Sequence, residues 1–99
     1  MTKTKTAGAW RAHERIAAAA CKVEGMTCSM PPPHRHHDVM KAIWHMNRRL
    51  GAVPPENQGF ITNTGRFVGR EEACVIARAA GQILEKTPPG NKLFSEDLW

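Results

Sequence analysis

No run of apolar residues in this 99-residue chain approaches the length that crosses a bilayer. The polar, basic opening Met1-Thr2-Lys3-Thr4-Lys5-Thr6 is followed by no signal-peptide hydrophobic stretch, and Ala17–Ala20 is too short to serve as one. The expectation is therefore a protein of the host cytoplasm, without a membrane partner. Cysteine is equally sparse. Cys21, Cys28 and Cys74 are odd in number and show no C-x-x-C spacing, which argues against a secreted disulfide framework and a zinc ribbon. Catalytic signatures are missing too: there is no Gly-x-Ser-x-Gly, Walker loop, Gly-x-Gly-x-x-Gly or His-Glu-x-x-His. The sequence points to a non-enzymatic protein with no catalytic residues and no cofactor.

What is present is a strong charge asymmetry. Residues 1–49 carry nine Lys or Arg against three acids, whereas residues 50–99 carry five against six. A basic half attracts anions such as nucleotides, nucleic acid or acidic proteins. It also serves solubility alone when it is only a solvated face.

Residues 1–15 read as a flexible arm with Trp10 as its one large apolar side chain, and residues 16–99 as a single domain. Ala17–Ala20 favours helix, yet the alternation from Cys21 to Met30 about Glu24-Gly25 is a strand–turn–strand pattern. It predicts a hairpin with Val23 opposite Met26 and Cys21 opposite Cys28. Pro31-Pro32-Pro33 ends that hairpin. A helix is expected from His36 to Leu50, with Val39, Ile43, Met46 and Leu50 as its buried stripe, Met40 and Trp44 widening it, and Gly51 as its stop. A second hairpin turns at Asn63-Thr64-Gly65, pairing Phe60 with Val68, Ile61 with Phe67 and Thr62 with Arg66. A second helix follows from Arg70 to Ala80, with Ala73, Ile76, Ala77 and Ala80 inward and Gly81 as its stop. The predicted fold class is α+β: two hairpins, two helices and a docked C-terminal tail, in an oligomer. The oligomer is expected because a short chain struggles to bury the apolar, acidic ending Leu93–Trp99, which could dock on another subunit.

Two places bear on function. At the start of the first helix, Arg35, His36 and His37 stand where unpaired backbone N–H groups favour an anion. Neighbouring residues there diverge, so His34-Arg35-His36-His37-Asp38 is not expected to hold a metal. On the second hairpin, Phe60, Thr62, Arg66 and Val68 share one face, and Ile61 and Phe67, on the other, are assigned to the core. Phe60, Thr62 and Arg66, with Arg70 nearby, offer a ring, a hydroxyl and a guanidinium to a nucleotide. The competing reading is that Phe60 and Val68 pack beneath the second helix. Glu71 and Glu72 would repel phosphate from that helix's start.

The segments Arg35-His36-His37-Asp38-Val39, Gln58-Gly59-Phe60-Ile61-Thr62, Thr64-Gly65-Arg66-Phe67-Val68, Arg70-Glu71-Glu72-Ala73, Ala80-Gly81-Gln82 and Leu93-Phe94-Ser95-Glu96-Asp97-Leu98-Trp99 together resemble small phage and prophage proteins of the first Thoeris anti-defence family. The resemblance implies a sponge that binds cyclic ADP-ribose-type signals, and in some members cyclic oligonucleotides, without cleaving them. It further implies a dimer or trimer of dimers with pockets between subunits. Arg35, His36, His37, Phe60, Thr62, Arg66 and Arg70 are the binding positions it would use. The departures are an alanine-rich first strand and a longer histidine run. A nucleic-acid- or protein-binding inhibitor and a small nucleotide hydrolase are the competing functional classes.

Overall fold

The computed structural model describes residues 14–50 and 52–99. Residues 1–13 of the expected 1–15 arm, and the expected helix stop at Gly51, lie outside the described residues, whereas Glu14 is buried and the Arg15 N–H donates to Asn63 Oδ1.

The chain builds one four-stranded antiparallel sheet and two helices, an α+β fold. The strands are β1 (Ile16–Val23), β2 (Met26–Met30), β3 (Gln58–Thr62) and β4 (Phe67–Gly69), and they lie in the order β2-β1-β3-β4. Helix α1 spans His36–Met46 and helix α2 spans Arg70–Ala79. Both hairpins take the register that their turns dictate. Glu24 and Gly25 both have positive φ, at 49° and 80°, so the two-residue turn is of the type that matches strand twist. Val23 then faces Met26, and Cys21 faces Cys28. Gly65, at φ 88°, closes the second turn and leaves Phe60 opposite Val68 and Ile61 opposite Phe67. The long step from β2 to β3 places β3 against β1, which makes β1 a central strand.

The core lies between one face of the sheet and the two helices. Ala19, Cys21, Val23, Phe60 and Val68 from the sheet meet Val39 and Ile43 from α1, and Ala73, Cys74 and Ala77 from α2. This reverses the expected assignment for the second hairpin: Phe60 and Val68 are fully enclosed, while Ile61 and Phe67 are only half-buried on the opposite face. Alternation separates the two faces but does not say which one the helices cover. The small residues Ala18, Ala20 and Gly59 belong to that opposite face, as their pairing with Ile61, Ser29 and Gly69 requires. A side chain on Gly59 would place its Cβ 2.2 Å from the Val68 carbonyl oxygen and 2.8 Å from the Phe67 ring.

Helix α1 is also shorter than its apolar periodicity implies. It ends at Met46, because Asn47 turns to an extended conformation and its side-chain oxygen accepts the Arg49 N–H. Residues Arg48–Leu50 form a separate 3-10 turn. Met46 and Trp44 therefore stand exposed instead of extending the buried stripe. Helix α2 stops one residue before the expected end, with Gly81 in the left-handed region after it. No helix among the described residues is long and apolar enough to cross a membrane.

The C-terminal segment docks on its own chain, so the expected need for another subunit to bury it does not arise. Leu93 and Leu98 are buried in the core, and the Leu93 N–H donates to the Arg70 carbonyl. The carboxylate of Asp97, wholly enclosed, organises the segment. It accepts the N–H of Thr87 at 2.7 Å and of Phe94 at 2.9 Å, and it pairs with Lys86 Nζ at 3.1 Å. Burial pulls its pKa upward, but these bonds outweigh burial and hold it below the usual carboxylate range.

Removing that carboxylate would leave the Thr87 and Phe94 N–H groups without their acceptor and take the anionic partner from Lys86, whose Nζ would keep only the Thr87 and Pro89 carbonyls. Asp97→Ala is expected to cost about 3–5 kcal/mol in urea unfolding, the range for one half of a buried pair. A loss under about 1 kcal/mol would show that Asp97 does not hold the tail.

Candidate functional site

The sequence places functional weight on seven side chains, and the structure distributes them over three environments. His36 belongs to the core. Its ring meets Phe60 edge-on at 4.8 Å between centroids, its Nε2 lies 2.5 Å from the Gly59 carbonyl oxygen and its Nδ1 lies 3.1 Å from Ser95 Oγ. A carbonyl only accepts, so Nε2 bears the proton and Nδ1 accepts from the serine. Burial, with the Arg70 charge adding to it, lowers the His36 pKa to about 4. His36 is thus a neutral packing residue and not a contact for an anion.

The rest of the helix-end cradle is filled from within the chain. The Asp38 carboxylate folds back onto the Arg35 N–H at 2.8 Å, and Ser95 Oγ accepts the His36 N–H at 3.3 Å. The Arg35 guanidinium donates to the Trp99 main-chain oxygen through both Nε and Nη2, and the Trp99 indole N–H donates to the His34 carbonyl. These bonds fasten the C-terminal segment to the start of α1.

The hairpin set is likewise internal. Phe60 and Thr62 are buried, and the Thr62 hydroxyl is engaged by Thr64 at 2.8 Å. Arg66 grips the buried Glu14 carboxylate with Nε at 2.9 Å and Nη2 at 2.8 Å, and Nη2 also reaches Glu72 at 3.0 Å. The Arg66 bonds lower the Glu14 pKa to about 2 against the opposing effect of burial, with Thr62 and Thr64 assisting. The fork expected to hold a phosphate therefore holds two carboxylates. Arg70 donates to the Leu93 carbonyl and to Gln58 Oε1, both at 2.8 Å, and lies 4.8 Å above the Phe94 ring. It lines a groove of about 560 Å³ whose walls also carry Lys92 and three carboxylates, Glu56, Glu71 and Glu72. The acids outnumber the bases there, so the groove disfavours phosphate.

His37, exposed as Arg35 and Arg66 also are, opens onto a different surface. His37, Met40, Lys41, Trp44 and Ala52 line a shallow groove of about 440 Å³ along the solvent face of α1. Residues 37, 41 and 44 follow the i, i+4, i+7 spacing of one helix face. Arg48 extends the row, with its guanidinium 4.6 Å from the centre of the Trp44 ring, and the His45 ring meets the same indole at 5.3 Å. Between Glu24 and Glu56 the only acid is Asp38, which caps the helix. The groove thus combines an accessible aromatic ring with the cations Lys41 and Arg48, and Asp38 is the acid that interacts electrostatically with His37 and Lys41. A legible signal existed in the sequence, in the spacing of His37, Lys41, Trp44 and Arg48, but the helix was expected to run to Leu50 and to bury Trp44.

A family profile described as Phage T4 y16D protein matches residues 15–99. The chain belongs to that phage protein family. No curated protein and no solved structure matches it. The match begins at Arg15, beside Glu14, so nearly the whole described fold lies within the family's span.

Two of the buried ionisable groups, His36 and Glu14, set an acid limit on this phage protein's fold. In the unfolded chain His36 takes up a proton near pH 6.5, but in the fold only near pH 4. Its contribution is present above 6.5 and is lost as pH falls towards 4. That interval amounts to about 3 kcal/mol. Glu14 acts in a lower window: its contribution is present above its ordinary value of 4.5 and is lost as pH falls towards 2. Urea unfolding is expected to show stability declining from pH 7 to pH 4, and His36→Gln should flatten that decline. A wild-type stability constant over this range would contradict a neutral, enclosed His36.

Proposed function

We propose that this phage protein binds an anionic nucleotide on the α1 groove and holds it without cleaving it. The observation that carries the reading is the exposed Trp44 ring set among His37, Lys41 and Arg48. A base stacks on an indole regardless of its identity, and neighbouring cations pair with its phosphates. A groove of about 440 Å³ falls in the size range of small-ligand sites. The resemblance to anti-Thoeris proteins gives the finer form of the proposal: a sponge for cyclic ADP-ribose-type or cyclic oligonucleotide signals of bacterial immunity. Sequestration is the better-supported chemistry, because His36, Glu14 and Asp97 are enclosed and hydrogen-bonded within the fold.

The test is calorimetric titration with cyclic ADP-ribose isomers and cyclic dinucleotides, followed by heating the complex and chromatography of what is released. Intact ligand is the expected product, whereas an altered one would make the protein an enzyme. Trp44→Ala is expected to weaken binding about tenfold or more, since a lost stack costs about 1–3 kcal/mol. Lys41→Ala should also weaken it, more strongly at low salt. Arg78, exposed on α2 and bonded to the Gly90 carbonyl, is the control of equal charge. If Arg78→Ala weakens capture as much as Trp44→Ala, the groove is not the site.

A further inference from the structure

The two edges of the sheet differ in kind. The β4 edge is only three residues long and runs directly into α2, and short edges resist pairing with other chains. The β2 edge is Met26-Thr27-Cys28-Ser29-Met30, with no charge and no proline, in a chain of net charge +5. Lysines and prolines are what commonly blunt such an edge, and β2 has neither.

The hydrogen-bonding sense of β2 follows from its turn. A two-residue loop makes Val23 and Met26 a hydrogen-bonded pair, and pairs then alternate along the ladder. Cys28 and Met30 thus direct their main-chain groups at β1. Thr27 and Ser29 direct theirs away from the sheet, and no partner meets them among the described residues.

We propose that a second copy of this chain pairs with β2 along this edge, antiparallel and with the dyad at Cys28. The strand is nearly palindromic in chemistry, and that selects the occupant. With Cys28 opposite its own copy, Thr27 faces the second copy's Ser29 and Met26 faces the second copy's Met30. The outward-pointing Thr27 and Ser29 then fall opposite each other, which is where an antiparallel ladder exchanges its bonds. Hydroxyl meets hydroxyl, a pairing that is favourable across strands, and one apolar thioether meets another. The same register sets exposed Glu24 of one copy opposite Pro32 of the other, beside the basic His34-Arg35 stretch. A twofold axis makes every one of these contacts twice. The two four-stranded sheets become one of eight strands. Helix α1, which packs over β1 and β2, comes to lie next to its counterpart. A helix seated over both strands would stand about 5 Å from the dyad at ~4.8 Å per strand, so the helices lie about 10 Å apart, a normal packing distance.

Light scattering on a size-exclusion column, at concentrations up to about 100 µM, is expected to show a species of about twice 11.0 kDa. Diamide, a thiol oxidant, should trap it as a covalent dimer through Cys28, since non-bonded pairs bring Cα atoms to about 4.5 Å. Each disulfide forms as two thiols lose two hydrogens to the diazene, which is reduced to the hydrazine. Cys28→Ser should abolish the covalent band and leave the noncovalent dimer, while Cys74→Ser should change neither. Ser29→Pro removes an outward N–H and Ser29→Lys adds charge to the edge, and each should shift the mass to 11.0 kDa with an unchanged circular-dichroism spectrum. A monomer at every concentration would overturn the proposal. So would a dimer indifferent to both Ser29 variants, or trapping that survives Cys28→Ser.

Discussion

The imidazole of His36 sits at the junction of three parts of the molecule that sequence keeps far apart. It is the first residue of α1, it donates to the Gly59 carbonyl of β3, and it accepts from Ser95 in the C-terminal segment. The bond from Ser95 needs the neutral ring, because a protonated Nδ1 could not accept, whereas the donation from Nε2 to Gly59 does not depend on it. A carbonyl on a central strand is normally satisfied by its ladder neighbour. Here the imidazole adds a bond from outside the ladder and orients the helix over Phe60. Asp97 plays the matching part at the other end of the tail, collecting Thr87, Phe94 and Lys86 around one enclosed carboxylate. Leu93–Trp99 thereby closes the small core that the sheet and the two helices build.

The strand registers were readable because turns are local. Glu24-Gly25 and the Gly65 turn need particular backbone conformations, and each conformation fixes its register to the residue. The identity of the buried face was not readable, since Phe60 and Phe67 are aromatic and fall on opposite sides of one hairpin. The absence of a side chain at Gly59 decides much of it: the Phe67 ring lies so near that even a Cβ would not fit. Histidine posed the same problem at α1. His36 and His37 differ by one helical step of about 100°, enough to put one in the core and the other in solvent. Position 36 does continue the row of Val39 and Ile43, so its burial could have been read from spacing alone.

The charge asymmetry also takes on a different meaning once partners are assigned. Arg66 and Arg70 stand out in the sequence, yet both are consumed in the fold: one by Glu14 and Glu72, the other by Leu93, Gln58 and the Phe94 ring. Arg35 is spent on the C-terminal segment in the same way. Composition counts such residues equally with Lys41 or Arg48, because it cannot see which carboxylates and carbonyls lie within reach. Subtracting the engaged cations moves the basic field from the hairpin to the solvent face of α1.

That relocation changes what a ligand must do to bind. A guanidinium locked by two carboxylates would have to give up both bonds to take a phosphate, and the exchange returns little. Arg48 faces no such cost. It rests on the indole of Trp44 in an exposed cation–π contact, a contact generally worth less than about 1 kcal/mol at the surface. On the proposed reading, a nucleotide base would displace that contact at small expense, recover stacking on the same ring, and leave the freed guanidinium beside the incoming phosphates. For the proposed ligand the exposed pair would be the better-prepared site, because it is weakly satisfied, whereas the hairpin arginine already holds Glu14 and Glu72.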